Sequence, residues 1–213
     1  MTKKIKYIIG IDEVGRGPLA GPVTVAAVAV TVNSKFRIKN AKLKLKDSKK
    51  LLPKQREEWF YFIKQQKISF AIASVSPKII DKINISNAAN LAATRAVKKL
   101  LISNQQLIIN SCKIFLDGGL YLNKNIRVYP LLKKFNPFLS ASTIIKGDEK
   151  IPAISLASIV AKVARDRMMM NIHKKYPRYG FDKHKGYGTK QHIKMIKKYG
   201  LSPIHRKSFR LKK

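Results

Sequence analysis

Apolar positions along the chain carry two signatures, short unbroken runs and helical spacing. Tyr7-Ile8-Ile9-Gly10-Ile11 is a compact apolar run and predicts a short buried strand. It stops at Asp12-Glu13 and gives way to a Gly/Pro-rich loop, Gly15 to Pro22. Val23 to Val32 is rich in β-branched residues and Ala, which predicts a second strand. A basic loop follows, ending in Lys46-Asp47-Ser48-Lys49-Lys50-Leu51, and Pro53 then opens a helix to about Lys64, since Pro suits a first helical turn. Ile68 to Val75 predicts a third strand, and Asn87 to Leu101 an Ala-rich helix. Lys113 to Leu116 is a short strand running into Asp117-Gly118-Gly119. A loop containing Pro130 and Pro137 leads to a strand over Ser140 to Ile145, which ends at Lys146-Gly147-Asp148. Ile154 to about Ile172 predicts a long helix burying Ala157, Val160, Ala161 and Val163-Ala164. A last helix spans about Lys190 to Tyr199. Strands first, then strands alternating with helices, imply an α/β fold with a mixed sheet and a basic C-terminal subregion.

Charge changes this picture more than size does. The 213 residues suit one domain, and 45% hydrophobic content supplies a core. Against that, 45 Lys and Arg face 11 Asp and Glu, a net charge of +34. A field of that sign favours polyanions, either nucleic acid or an anionic membrane surface. A chain rich in Lys, Ile and Asn is also what AT-rich coding produces. A single cysteine, Cys112, excludes a disulfide framework and a Cys-based zinc site, and reads as a small core filler in a reducing cytoplasm. The longest apolar run, Val23 to Val32, is about half the roughly 20 residues a spanning helix needs, so no membrane role is expected. The opening Met-Thr-Lys-Lys-Ile-Lys leads into an apolar run too short for a signal-peptide core.

In so basic a chain the position of each acid carries information. Asp12 and Glu13 stand at the carboxyl end of the first strand, Asp117 at that of a later one, and Asp148 directly after another. Ligands of open α/β sheets bind outside the carboxyl ends of strands. If these strands are neighbours, the carboxylates converge and require cations, because like charges repel. An all-oxygen donor set suits Mg²⁺ or Mn²⁺ rather than zinc. Taken singly, each acid also has a structural reading, Asp117-Gly118 as a turn and Asp148 as a cap. Asp166, beside Arg165 in the long helix, suits an arginine partner, a supporting position behind the site, or a metal ligand.

Gly15-Arg16-Gly17-Pro18-Leu19-Ala20-Gly21 does not match a dinucleotide fingerprint, because the spacing differs and a strand follows. Its glycines would let backbone amides approach a phosphate or sugar, or simply make a tight turn. There is no P-loop and no Gly-x-Ser-x-Gly elbow. His173, His184, His192 and His205 lack paired ligand spacing and read as structural or solvated. Tyr176 to Thr189 interleaves aromatic and basic residues, which suits stacking on sugars or bases, or the packing of a helical appendage.

The block Gly10-Ile11-Asp12-Glu13-Val14-Gly15-Arg16-Gly17-Pro18-Leu19-Ala20-Gly21-Pro22-Val23 resembles the signature of the type 2 ribonucleases H. Further blocks match in order: Asp47-Ser48-Lys49-Lys50-Leu51, Leu116-Asp117-Gly118, Lys146-Gly147-Asp148, and Ser155 through Asp166. Tyr179-Gly180-Phe181, Lys185-Gly186-Tyr187-Gly188-Thr189 and His205-Arg206 complete the resemblance over nearly the whole chain. The resemblance implies a ribonuclease H-like mixed sheet flanked by helices, with residues 1–175 as catalytic domain. Residues 176–213 would be a helical extension packed on the same domain. It implies metal-binding catalytic carboxylates at Asp12, Glu13, Asp117 and Asp148, holding two Mg²⁺ or Mn²⁺ ions. It further implies a ribose 2′-hydroxyl sensor at Gly15, Arg16 and Gly17, deoxyribose stacking by Tyr187 and a phosphate contact from Lys49. Val14 stands where alanine is common, and the stretch between Asp117 and Asp148 is longer than usual. The motif begins at residue 10, which leaves no room for the N-terminal domain of the type 3 enzymes.

The activity so implied is hydrolysis of the RNA strand of RNA–DNA hybrids and nicking 5′ of ribonucleotides embedded in duplex DNA. It leaves 3′-hydroxyl and 5′-phosphate ends and serves ribonucleotide excision repair, from a cytoplasmic monomer. A non-enzymatic RNA-binding protein fits the size and charge equally, but not the acids at strand ends. A different two-metal nuclease or recombinase fits the acids, but not the Gly-Arg-Gly loop with the distal tyrosine segment.

Overall fold

The computed structural model describes residues 5–32, 51–104, 106–107, 111–122 and 140–210. Asp47, Ser48, Lys49, Lys50, Pro130 and Pro137 lie outside the described residues. Five strands form one sheet: β1 (Tyr7–Val14), β2 (Val23–Thr31), β3 (Ser69–Val75), β4 (Cys112–Asp117) and β5 (Ser140–Ile144). Their order is β3-β2-β1-β4-β5. β1, β2 and β3 pair antiparallel, whereas β4 lies parallel to β1 and β5 parallel to β4. The expected mixed sheet is therefore present, and β1 sits at its centre.

Between the strands run α1 (Pro53–Gln65), α2 (Pro77–Ile83) and α3 (Ile85–Ser103). After β5 come the single turn α4 (Gly147–Lys150) and the long α5 (Pro152–Lys175). A 3₁₀ turn (Pro177–Tyr179), α6 (Phe181–His184) and α7 (Lys190–Tyr199) complete the chain. The hydrophobic pattern predicts every strand and the four long helices, each to within three residues at either end. It misses α2, α4 and α6, whose four to seven residues are too few to establish a period. Asn84, at φ +63°, caps α3 by accepting from the Asn87 amide at 3.0 Å, which moves that helix start two residues ahead of the predicted one.

The period of two along each strand divides the core into two layers. Ile9, Ile11, Val25, Ala27, Ile114 and Leu116 face α3 and its buried alanines. Ile8, Ala26, Val28 and Val30 face α5 and the α1 residues Trp59, Phe60 and Ile63. Sandwiched so, β2 is buried along its length, which is why it reads as an unbroken apolar run. Gly10 on β1 sets the closeness of α5, since a Cβ there would lie 2.1 Å from the Ala153 carbonyl carbon. Cys112 opens β4, buried, with its thiol donating to the Leu107 carbonyl at 3.3 Å and pushed up to about 11 by burial.

The C-terminal segment packs on this body through a third small core of Ala20, Met169, Tyr179, Phe181 and Ile196. It also joins the body through the backbone: Leu19 and Ala20 donate to Gly186 O, and Arg206 N donates to Leu19 O.

Candidate metal centre and substrate cleft

Strand parity decides which carboxylates meet. Asp12 shares the α5-facing parity of Ile8 and Gly10, and Asp117 shares that of Phe115. In the parallel β1–β4 register the last pair is Ile11 with Leu116, so Asp12 and Asp117 are the next step along adjacent strands. Asp148 reaches them from α4, after a turn in which Lys146 adopts the left-handed conformation (φ 54°). That turn is tied down twice. Gly147 N donates to Asp117 Oδ1 at 2.7 Å, and the Ser155 hydroxyl donates to the Asp148 carbonyl. Asp12, Asp117 and Asp148 each bring a carboxylate oxygen to within 4.8 Å of the others.

Glu13, one residue on, has the opposite parity and stands apart from this triad while lining the same cleft. Its Oε1 accepts from Arg16 Nη1 at 3.5 Å, and its buried Oε2 has no hydrogen-bond partner among the described residues. The cleft holds about 270 Å³ and is lined by Asp12, Glu13, Asp117, Gly15–Gly17, Ser158, Lys162 and Tyr187, among others. Burial, the Glu13 carboxylate and the Asp117 carboxylate hold Asp12 well above the usual carboxylate range. Opposing this, Ser158 hydrogen-bonds the Asp12 side chain, and the Glu13 amide donates to its Oδ1 at 2.7 Å. Glu13 is also raised, by burial first, with Arg16 opposing. Three converging acids, one with its pKa raised by burial and repulsion, and a fourth with an orphaned buried oxygen make a donor set that fits hard divalent cations.

The loop from Gly15 to Pro22 borders this cluster, and two buried arginines hold it. Arg165 on α5 donates to the carbonyls of Pro22 (3.0 Å), Ala20 (3.2 Å) and Lys185 (3.0 Å). Arg206 donates to the carbonyls of Gly15 (2.6 Å), Arg16 (2.8 Å) and Gly21 (2.9 and 3.0 Å). Burial and the neighbouring Arg165 push Arg206 down to about 9. With the loop carbonyls turned onto the guanidiniums, the amides of Gly15, Arg16 and Gly17 donate to no acceptor among the described residues. Gly15 sits at φ +92°, where a side chain would be strained and would meet the Arg165 guanidinium. Arg16 Nη2 reaches the Ser86 hydroxyl at 3.1 Å.

Tyr187 faces this loop from the C-terminal segment. It is 43% exposed, and its ring edge would lie 3.9 Å from a Cβ on Gly17. Three histidines hold its backbone. His192 Nδ1 bonds the Tyr187 carbonyl at 2.9 Å, and His192 Nε2 meets His205 Nε2 at 3.0 Å. His205 Nδ1 accepts from the Ser202 amide at 2.9 Å, while His184 Nδ1 accepts from the Gly186 amide at 3.2 Å. Each ring accepts at one nitrogen, so the network is made by neutral imidazoles. Burial lowers all three, His192 to about 4.

Of the residues singled out from sequence, Asp12, Glu13, Gly15, Arg16, Gly17, Asp117 and Tyr187 line one cleft and Asp148 joins the acid triad. Asp166 does not join it, and pairs with Lys162 (2.8 Å) and Arg56 (4.0 Å) instead. Lys49 lies outside the described residues. Sequence reasoning gave no individual role to Ser158, Lys162 or Arg206, whereas its reading of His184, His192 and His205 as structural holds. Ser158, Lys162 and Asp166 recur at intervals of four on α5, a signal that was available.

Comparison with known proteins agrees with this geometry. The family model for Ribonuclease HII matches residues 9–212. A Ribonuclease HII of Caldicellulosiruptor bescii is 44% identical over 209 residues, covering 98% of this chain and 89% of its own. One of Chloroherpeton thalassium is 43% identical, covering 98% and 92%. The crystal structure of a ribonuclease H2 from Pyrococcus horikoshii superposes with a TM-score of 0.72 at 27% identity, covering 95% of this chain and 93% of that one. With the family model matching residues 9–212 and relatives 43–44% identical over nearly the whole chain, the chain belongs to the ribonuclease HII family and is a metal-dependent endonuclease.

Proposed function

We propose that this protein cleaves the phosphodiester on the 5′ side of a ribonucleotide, in RNA–DNA hybrids and at single ribonucleotides within duplex DNA. One observation carries the reading. Asp12 and Asp117, the free amides of Gly15–Gly17 and the ring of Tyr187 share a single cleft, and Asp148 joins the two acids. Asp12, Asp117, Asp148 and Glu13 would hold two divalent ions, Mg²⁺ or Mn²⁺. Ions held there would supply a lowered pKa for water as the nucleophile and neutralisation of charge on the departing 3′-oxygen. A water oxygen joins the phosphorus, the P–O3′ bond breaks, and the 3′-oxygen takes a proton, leaving 3′-hydroxyl and 5′-phosphate ends.

The chain's own groups select the substrate. The amides of Gly15, Arg16 and Gly17 donate to the 2′-hydroxyl, the group that separates RNA from DNA at that position. Tyr187 stacks on the deoxyribose next to the ribonucleotide and so favours an RNA–DNA junction over a uniform hybrid. Lys49 and the basic surface hold backbone phosphates, which gives affinity without sequence preference. Residues 1–175 carry the chemistry and 176–213 complete the cleft as an extension of the same body. The protein works as a monomer in the cytoplasm, in ribonucleotide excision repair. Among the described residues no helix is long and apolar enough to cross a membrane.

The test is a DNA duplex with one embedded ribonucleotide, incubated with Mg²⁺, Mn²⁺ or EDTA. Metal-dependent nicking 5′ of the ribonucleotide is expected. Binding without a cut in either metal would overturn the reading and leave a nucleic-acid-binding protein.

A further inference from the structure

We propose that Lys162 is a catalytic residue whose ammonium contacts the non-bridging oxygens of the reacting phosphate, and that Asp166 is the positioning residue that aims it. The inference rests on the phosphodiesterase reading above and deepens it.

Two cations line the cleft, Arg16 and Lys162. Arg16 is engaged by Glu13 and Ser86. Lys162 donates one of its three protons to Asp166 Oδ1 at 2.8 Å, which leaves two for an incoming anion. Its side chain is 24% exposed and Asp166 is 22% exposed, so the pair is partly desolvated. An ion pair four residues apart on a helix adds little to stability, so stability alone does not account for this placement. Asp166 is itself braced. Its Oδ2 lies 4.0 Å from Arg56, a buried arginine whose Nη1 donates to the Leu51 carbonyl at 2.5 Å. Held by two cations, Asp166 restrains Lys162.

The helix row supplies the direction. Ser158, Lys162 and Asp166 follow one another at single turns along α5, and Ser158 bonds Asp12. The ammonium is therefore one turn from the residue that supports the acid triad, on the cleft side. Lys162 forms no covalent bond and keeps its protons. It acts on charge growing on the phosphate oxygens, as a fixed donor in a cleft that excludes part of the solvent.

The experiment compares the full chain with K162M, K162R and D166N on the single-ribonucleotide duplex. In EDTA, duplex affinity is measured against salt, and with Mg²⁺ the steady-state constants are taken. For K162M we expect the slope of log affinity against log salt to fall by about 1 and kcat to fall about 100-fold. K162R keeps the slope and holds kcat within about 10-fold of the parent. D166N keeps the slope, because the charge remains, and loses about 10-fold in kcat. A K162M protein with the parent's salt slope, or with kcat within threefold of it, overturns the proposal. If the parent itself cuts nothing with Mg²⁺ or Mn²⁺, the activity reading has failed, and the two failures are told apart by that control.

Discussion

Burial and the carboxylates of Glu13 and Asp117 hold the Asp12 carboxyl well above its ordinary value of 3.8. Its folded state therefore binds a proton more tightly than its unfolded state. The stability this contributes is complete below that ordinary value and is lost as pH rises through the raised one. At neutral pH, without metal, Asp12 is a cost to the fold. D12N removes that cost and also one of the carboxylates proposed to hold metal. In EDTA at pH 7 its melting temperature should rise by about 2–4 °C, the equivalent of about 1 kcal/mol, while nicking disappears. Calorimetry showing an equal or lower melting temperature would contradict the desolvation account, and retained nicking would contradict the metal assignment. Tyr187 makes a different demand. On the proposed stacking role, and taking the roughly 1–3 kcal/mol lost when an aromatic ring leaves a base as the scale, Y187A should lose about 10-fold or more in preference for an RNA–DNA junction over a uniform hybrid. Its duplex affinity should change much less. Equal preference in that competition assay would remove Tyr187 from the specificity machinery.

At the scale of elements, the contact between β1 and α5 places the site. Gly10 lets the backbones touch, and the small residues Ala153, Ala157 and Ala161 keep α5 close to the sheet. A Cβ at position 10 would fall 2.1 Å from backbone, where no rotamer can relieve it. G10A should destabilise the protein by about 3 kcal/mol and loosen the setting of Asp12, readable as a lower urea midpoint and a weaker Mg²⁺-induced shift of melting temperature. A midpoint equal to the parent's would show that α5 is free to move away. The elements themselves are well written in the sequence: strands as apolar or β-branched runs, α1 opened by Pro53, and α5 as a small-residue helical stretch from about Ile154. Which elements would touch is not, because close packing depends on what stands opposite each small residue.

For the molecule as a whole, charge and the histidine network set the working conditions. A net charge of +34 makes duplex affinity fall steeply with salt, and EDTA should stop cleavage without releasing the duplex. The network joining His184, His192 and His205 to the Tyr187 backbone holds the C-terminal segment over the cleft. His192 falls from 6.5 to about 4 on folding, mainly through burial. The folded state thus binds fewer protons, and the stability is complete above pH 6.5 and lost as pH falls toward 4. Roughly 2–3 kcal/mol should disappear over that window, measurable as a falling denaturation midpoint that H192N flattens. A midpoint independent of pH between 6.5 and 4 would mean that the network does not tighten the fold.

Residue order alone determines the strands and long helices, the acids placed at strand ends, and the motifs that carry the family resemblance, because these depend on neighbours along the chain. That β1 runs on through Asp12 and Glu13 to Val14, and so turns the two acids to opposite faces, belongs to the structure. Only the tertiary structure decides that β4 lies beside β1, so that Asp12 meets Asp117. It alone turns Asp166 away from the acids toward Lys162 and Arg56. It alone sets Arg206 against carbonyls some 185–191 residues earlier. These pairings join groups distant in sequence, and which of them form is settled by how sheet and helices satisfy buried charge and volume together.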